Sequence, residues 1–236
     1  LQSVATVYGR IDVHSDATLP DRVNTEALIN QVQGESHFAY TETRFTNDVL
    51  KGDNYRQGMP YEVLSYELTG INPQTKHFTL DELRQFKLSE HHQVQVAIKP
   101  IVSIPYHHIA DGSKQKRLVE HIKTLYFNDE DATAPVFLKE PLPLGEIGNL
   151  GLPYETYKLA LSDDILKAVL GDDKFTQDIK NQLKSASESG YFSGDSLNPA
   201  PIGTDTSHQY WVRSGIAGFA VDAADHFYLP ERYTDA

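Results

Sequence analysis

Histidine is the side chain best suited to proton transfer and metal ligation near neutral pH, and this chain has ten. Two pairs are adjacent, His91–His92 and His107–His108. Neighbouring residues on a strand point to opposite faces, so neither pair easily chelates one ion. His107 and Asp111 stand four apart, a ligand spacing only on a helix. Ile104, Pro105 and the turn-like Asp111-Gly112-Ser113-Lys114 oppose a helix there. The reading is surface or hydrogen-bonded histidines, with no metal site.

Carboxylates are the second candidates. They cluster as Asp129, Glu130 and Asp131, as Asp163 and Asp164, and as Asp172 and Asp173. A glycosidase needs two carboxyls held roughly 5–10 Å apart across a cleft, which a sequence does not show. These acids fall at turns and helix starts, where they complement the helix dipole, so the structural reading leads. A calcium loop at Asn128–Asp131 stays open as an alternative. Nucleophile signatures are missing. Ser193 precedes Gly194 without the first glycine of an elbow. Gly145, Gly148 and Gly151 are spaced by three, which is neither a dinucleotide fingerprint nor a phosphate loop. The expectation is no catalytic residue, no cofactor and no enzyme activity.

The bulk numbers narrow the field further. Acidic residues number 33 against 21 basic ones, a net charge of -12. Such a surface repels phosphate backbones and anionic lipid, so neither nucleic acid nor membrane is an expected partner. Lys114, Lys116 and Arg117 form a local basic patch, read as a solvated turn. With no cysteine in the sequence, disulfides, thiolate metal sites and cysteine nucleophiles are excluded from it. No apolar run approaches the ~20 residues that cross a bilayer. At 39% hydrophobic and 23% charged residues, the composition is that of a folded chain. It opens at Leu1 on strand-like residues, with no legible signal peptide, and reads as a piece of something longer.

The elements that must position these residues are mostly strands. Candidates are 3–8, 37–45, 61–68, 94–98, 101–104 and 154–161. In Tyr61–Leu68 one face carries Tyr61, Val63, Ser65 and Glu67, and the other Glu62, Leu64, Tyr66 and Leu68. Aromatic and β-branched residues at period two fit a half-buried sheet. Pro100 marks an edge, a bulge or a break. Helices are fewer. Thr79 and Glu82 form a capping box for a short helix over 80–86. Ser162 caps a helix that Gly171 ends. Phe175, Ile179 and Leu183 make a narrow stripe on a surface helix. Asn24–Gly34 reads as a further helix. The helices of 162–190 form an insertion in a mainly-β module spanning 1–236. Glu140–Pro153 and Ser193–Ser207 read as loops. There is no repeat at the roughly 20–50-residue period of solenoids.

Lys114–Asp131 is ambiguous. Leu118, Val119, Ile122, Leu125 and Tyr126 suit a helix face. Leu118, Glu120, Ile122, Thr124 and Tyr126 also alternate, and Val, Ile, Thr and Tyr favour strands. Trp211, the one tryptophan, reads as a core anchor, with a binding platform beside Tyr210 as the alternative.

Several stretches occur in an order that resembles one family. They are Phe38–Asp48 (FAYTETRFTND), Met59–Gly70 (MPYEVLSYELTG), Lys116–Tyr126 (KRLVEHIKTLY), Pro141–Leu161 (PLPLGEIGNLGLPYETYKLAL), Tyr210–Gly215 (YWVRSG) and His226–Asp235 (HFYLPERYTD). Together they resemble the middle and C-terminal region of the B component of bacterial insecticidal toxin complexes, large proteins related to RHS repeats. Only Val7–Arg10 (VYGR) is like a remnant of the repeat itself, so this would be a divergent part.

The resemblance implies a structural role. The B component joins the C component in a hollow β-sheet shell, a cocoon around the toxic C-terminal part of the C component. Partners would be the C component, the rest of the B component and, indirectly, the pore-forming A component. Localisation would be secreted or host-associated. Nothing here resembles the propeller of the B component or the self-cleaving protease of the C component. The resemblance also favours a strand for Lys116–Tyr126, with Leu118, Ile122 and Tyr126 on one side and Val119, His121, Lys123 and Leu125 on the other. Tyr66, Tyr126, Tyr157 and Trp211 are the candidate packing or interface anchors. The competing readings are a standalone β-rich carbohydrate- or protein-binding module and a hydrolase built on a carboxylate pair.

Overall fold

The computed structural model describes residues 2–8, 37–51, 54–71, 79, 101–129, 140–196, 207–220 and 222–234. The strand expected over 94–98, the helices expected over 24–34 and 80–86, and His91, His92, Glu130 and Asp131 lie outside the described residues. The fold is mainly β. In chain order the strands are β1 (Gln2–Tyr8), β2 (His37–Phe45), β3 (Val49–Lys51), β4 (Asn54–Arg56), β5 (Pro60–Thr69), β6 (Val102–Ile104), β7 (Gln115–Tyr126), β8 (Pro153–Ser162), β9 (Phe192–Ser193), β10 (Gln209–Arg213), β11 (Ile216–Gly218) and β12 (Arg232–Thr234). Three short helices, α1 (Asp163–Leu170), α2 (Gln177–Lys184) and α3 (Ala186–Ser189), interrupt them between β8 and β9.

The chain divides into two compact units. The first comprises Leu1–Gln2, Thr43–Leu64 and Glu120–Ala236; the second comprises Ser3–Glu42 and Ser65–Val119. β2, β5 and β7 each contribute residues to both.

In the first unit the sheet runs in the order β2-β5-β7-β8-β10-β9. Within Lys114–Asp131 the described strand is β7, as the resemblance favoured: it pairs antiparallel with β8, Lys123 opposite Tyr157 and Leu125 opposite Glu155. β8 in turn pairs antiparallel with β10, and the ladder shifts between Tyr210 and Trp211. Leu125, Tyr157 and Trp211 form the buried centre, with Leu144, Tyr154, Leu159 and Phe192 packed around it. The rings of Tyr157 and Phe192 meet edge to face with centroids 5.9 Å apart, a favoured aromatic geometry.

Two small hairpins leave this sheet, β3 with β4 and β11 with β12. The first is fastened at its base by a short polar set. Thr46 Oγ1 accepts the Met59 N–H at 3.0 Å, and Asp48 Oδ1 accepts the Gly58 N–H at 2.7 Å. α1 follows from its ends. The Ser162 hydroxyl accepts the Ile165 N–H, Asp163 and Asp164 occupy the first turn, and Gly171 closes it at positive φ.

In the second unit the order is β1-β2-β5-β7, with β6 parallel to the start of β7. Tyr40, Tyr66 and Leu68 are buried there. Glu67, on the other face of β5, engages the Arg117 guanidinium.

Candidate functional site

Alternation along β7 sends His121, Lys123 and Leu125 to one side, and that side is buried. Two ionisable groups therefore enter the interior with a leucine. Val119, expected on the same side, is instead half exposed. Glu62 of β5 comes in as the partner. Its Oε2 accepts Arg44 Nη1 at 2.7 Å, and its Oε1 lies 2.7 Å from His121 Nε2. The Lys123 ammonium stands 4.7 Å from the centre of the Trp211 ring, a cation–π contact. The His121 ring meets the same indole edge to face at 4.8 Å.

Burial alone would raise the Glu62 pKa. The His121 hydrogen bond and the charges of His121, Arg44 and Lys123 overturn that and hold the carboxyl below its usual range. Burial pushes His121 down, against the pull of Glu62. Burial also pushes Lys123 down, again against Glu62.

A second buried carboxylate stands beside this set. Glu155 accepts the Tyr157 hydroxyl and lies 3.2 Å from Arg213 Nη1. The Arg213 guanidinium covers the Phe192 ring at 4.6 Å. Burial and then Glu155 raise the Tyr157 phenol well above its ordinary value. Trp211 Nε1 and Arg213 Nε are buried with no hydrogen-bond partner among the described residues.

Two further acids of the first unit act as fasteners. Asp163 is buried at the start of α1 and accepts Lys180 Nζ at 2.9 Å and the Tyr210 hydroxyl at 2.9 Å. His208 Nδ1 lies 3.1 Å from the same carboxylate. Burial would raise the Asp163 pKa, but these donors hold it below the usual range. Asp129 accepts the Asn149 N–H at 2.8 Å and also the Leu150 N–H. A Cβ on Gly148 would sit 2.3 Å from that carboxylate, so only glycine fits. This accounts for one glycine of the spaced triplet as a close backbone approach. Asp164, Asp172 and Asp173 are exposed.

In the second unit the expected solvated basic patch is only partly that. Lys114 is exposed, but Lys116 is 1% exposed. Its ammonium lies 4.7 Å from the Tyr66 ring centre and 6.0 Å from that of Tyr40. Burial drives its pKa down to about 7, with Glu42 pulling the other way. Arg117 lies 6.0 Å over the Tyr106 ring. The His107 and His108 rings touch each other edge to face at 4.6 Å. Asp111 is exposed and accepts the Ser113 N–H at 2.8 Å. Among the described residues no group of three or more His, Asp or Glu is placed to hold a metal ion.

All four anchors read from the sequence are buried. Tyr157 and Trp211 come together in the core of the first unit. Tyr126 donates its hydroxyl to the Pro60 carbonyl at 2.6 Å. Tyr66 stacks on Tyr40 with centroids 6.0 Å apart. Sequence reasoning missed the Arg44–Glu62–His121–Lys123 set. The available signal was alternation, which already put His121 and Lys123 on the side of Leu125. What such a set does chemically is hold strands by saturated charge. Its carboxylate is 3% exposed, and both oxygens are engaged.

A mainly-β sheet with buried, paired charges and a short helical excursion is the class these features define. No protein-family model matches the chain, and no curated protein matches it. Among solved structures it is similar to the crystal structure of TcdB2-TccC3-TEV, with a TM-score of 0.57 at 16% identity, over 99% of this chain and 9% of that one. At this identity the likeness is one of fold.

Proposed function

We propose that the chain is a non-catalytic wall segment of a toxin-complex B component. It forms part of the β-sheet cocoon that encloses and helps deliver the toxic C-terminal part of the C component. The observation that carries this reading is the fold likeness to TcdB2-TccC3-TEV, which runs over 99% of the chain. The six ordered stretches suggested that family from the sequence, and no family model or curated protein adds to that resemblance. A wall segment needs paired strands and satisfied polar groups, and no substrate cleft. Glu62, Asp129, Glu155 and Asp163 are all engaged as structural partners, in keeping with that role. Partners on this reading are the C component, the remainder of the B component and, through it, the A component, in a secreted or host-associated complex.

The test uses the complete native gene co-expressed with the C-component gene beside it. The expected product is a polypeptide far longer than the 236 residues here. It should co-purify with the C component and shield that protein's C-terminal part from protease. A native polypeptide of this length, or a C-terminal part digested as fast in the mixture as alone, overturns the reading. The first of those outcomes moves the search to ligands of a standalone module.

A further inference from the structure

We propose that the Arg44–Glu62–His121–Lys123 cluster is an acid-operated lock in the first unit, closed while His121 is neutral and opened when His121 takes a proton. The lock is a matter of counting charges around one carboxylate. Glu62 of β5 serves Arg44 of β2 through one oxygen and His121 of β7 through the other, both at 2.7 Å. Lys123, two residues along the same strand face, is 3% exposed and leans on the Trp211 indole of β10. With His121 neutral, two cations face one carboxylate and one aromatic ring. With His121 charged, three cations face the same two groups.

The other buried carboxylates described on β2 and β8 have partners of their own: Glu42 of β2 pulls on the Lys116 ammonium. On β8, Glu155 is committed to Arg213 of β10 and to the Tyr157 hydroxyl. The indole face that attracts a cation already holds Lys123. Trp211 itself is completely buried, so water does not screen the repulsion there. The sign follows from linkage. Burial holds His121 below its ordinary value of 6.5, so the unfolded chain takes the proton first as the pH falls. The stability that His121 contributes is present above that ordinary value and is lost as the pH falls toward the folded one. Glu62 adds a second loss only in the more acidic carboxylate range. The loss therefore begins as the pH falls below 6.5, above the ordinary carboxylate range.

Trp211 is the only tryptophan in the chain, and it touches both His121 and Lys123. Its fluorescence reports this cluster and the core packed around the indole. The experiment follows Trp211 emission and the urea midpoint of the 236-residue chain between about pH 7.5 and about pH 5, a span across the ordinary histidine value. It compares the wild type with His121→Gln, which can still donate to Glu62 but does not titrate. In the wild type the emission should change on acidification. The folding constant should fall by about tenfold for each pH unit by which the imidazole is held below its free value. In His121→Gln the emission should stay flat, and the urea midpoint should keep only the decline that Lys116 contributes near pH 7. Flat wild-type emission, or the same acid transition in the variant, overturns the proposal. If the variant does not fold, ¹⁵N-histidine NMR of the wild type decides. Protonation of His121, identified by its contact with the indole, must coincide with the emission change; separation of the two in pH overturns the lock.

Discussion

At the scale of single residues, the unusual feature is buried lysine. Lysine is almost never fully buried unless paired, and an ammonium moved out of water carries a desolvation cost of several kcal/mol. Lys116 and Lys123 are both buried, and each has aromatic faces as its neighbours, Tyr40 and Tyr66 for one and Trp211 for the other. A cation–π contact returns about 2 kcal/mol when desolvated, so burial wins and both pKa values fall. The pH dependence of stability follows from Lys116. Its folded value of about 7 lies below the ordinary 10.5, so between those two values the unfolded chain binds more protons and stability rises with pH. The urea midpoint should therefore climb between about pH 7 and about pH 9.5, inside that window. Lys116→Met should climb less steeply, because only Lys123 still contributes. A variant slope equal to the wild type would mean that Lys116 keeps its charge in the fold. None of this was legible in the sequence. Lys116 follows Lys114 and precedes Arg117, so a solvated patch was the natural reading. The aromatic rings that cover it come from Tyr40 and Tyr66, far away along the chain.

At the scale of elements, local residues decided some structures and distant partners decided others. α1 was legible because its determinants are local: a serine cap, two acids and a terminal glycine. β7 was legible only through the resemblance, which favoured the strand that is found, because its apolar residues alone fit both periods. It is a strand because β8, some 30 residues on, and β6 are there to pair with it, which is information of non-local pairing rather than propensity. The same contrast gives two predictions. Ser162→Ala removes one capping bond and should cost about 1 kcal/mol. Asp163→Ala, the next residue, strips a shared acceptor from Lys180, His208 and Tyr210. It should cost about 3 kcal/mol, because it takes the acceptor from the buried Tyr210 hydroxyl and from the partly buried Lys180 ammonium. Urea unfolding of both variants checks the ranking, and equal costs would mean that the Asp163 network is relaxed in solution. The loop over 144–152 is a third element, held by a carboxylate. Gly148→Ala drives a Cβ into Asp129, and should cost about 1–3 kcal/mol as overpacking does. It should also speed hydrogen exchange at the amides of Asn149 and Leu150, the two that Asp129 accepts. Unchanged exchange at those two amides would place the strain elsewhere.

At the scale of the whole molecule, two opposing surface properties decide how the isolated chain behaves. The net charge of -12 keeps copies apart. Against it stand large apolar side chains in open solvent: Leu50 at 78% exposure with Tyr55 opposite it on the first hairpin, Ile109 at 93%, and Phe227 at 89% with Leu229 and Tyr233 near the last hairpin. Scattered exposed leucines need no explanation, but paired aromatic and aliphatic groups on hairpins favour contact with another surface. Phe227 and Tyr228 also hold positive φ, which costs a non-glycine residue about 1–3 kcal/mol. A strained turn presenting an exposed phenylalanine is understandable where that ring packs on something outside the chain. On the wall-segment reading the chain is cut from its surroundings, so self-association is expected. Charge repulsion is screened within about 8 Å at physiological ionic strength, whereas apolar contact is not weakened by salt. Light scattering behind size exclusion should therefore show a mass above the monomer that grows with added salt. Replacing Leu50, Tyr55 and Phe227 together by serine should return the monomer without unfolding it, since none of the three is buried. A monodisperse, stable wild-type monomer at every salt concentration would show that these side chains need no neighbour. The strongest physical reason for placing the chain inside a larger β assembly would then be gone.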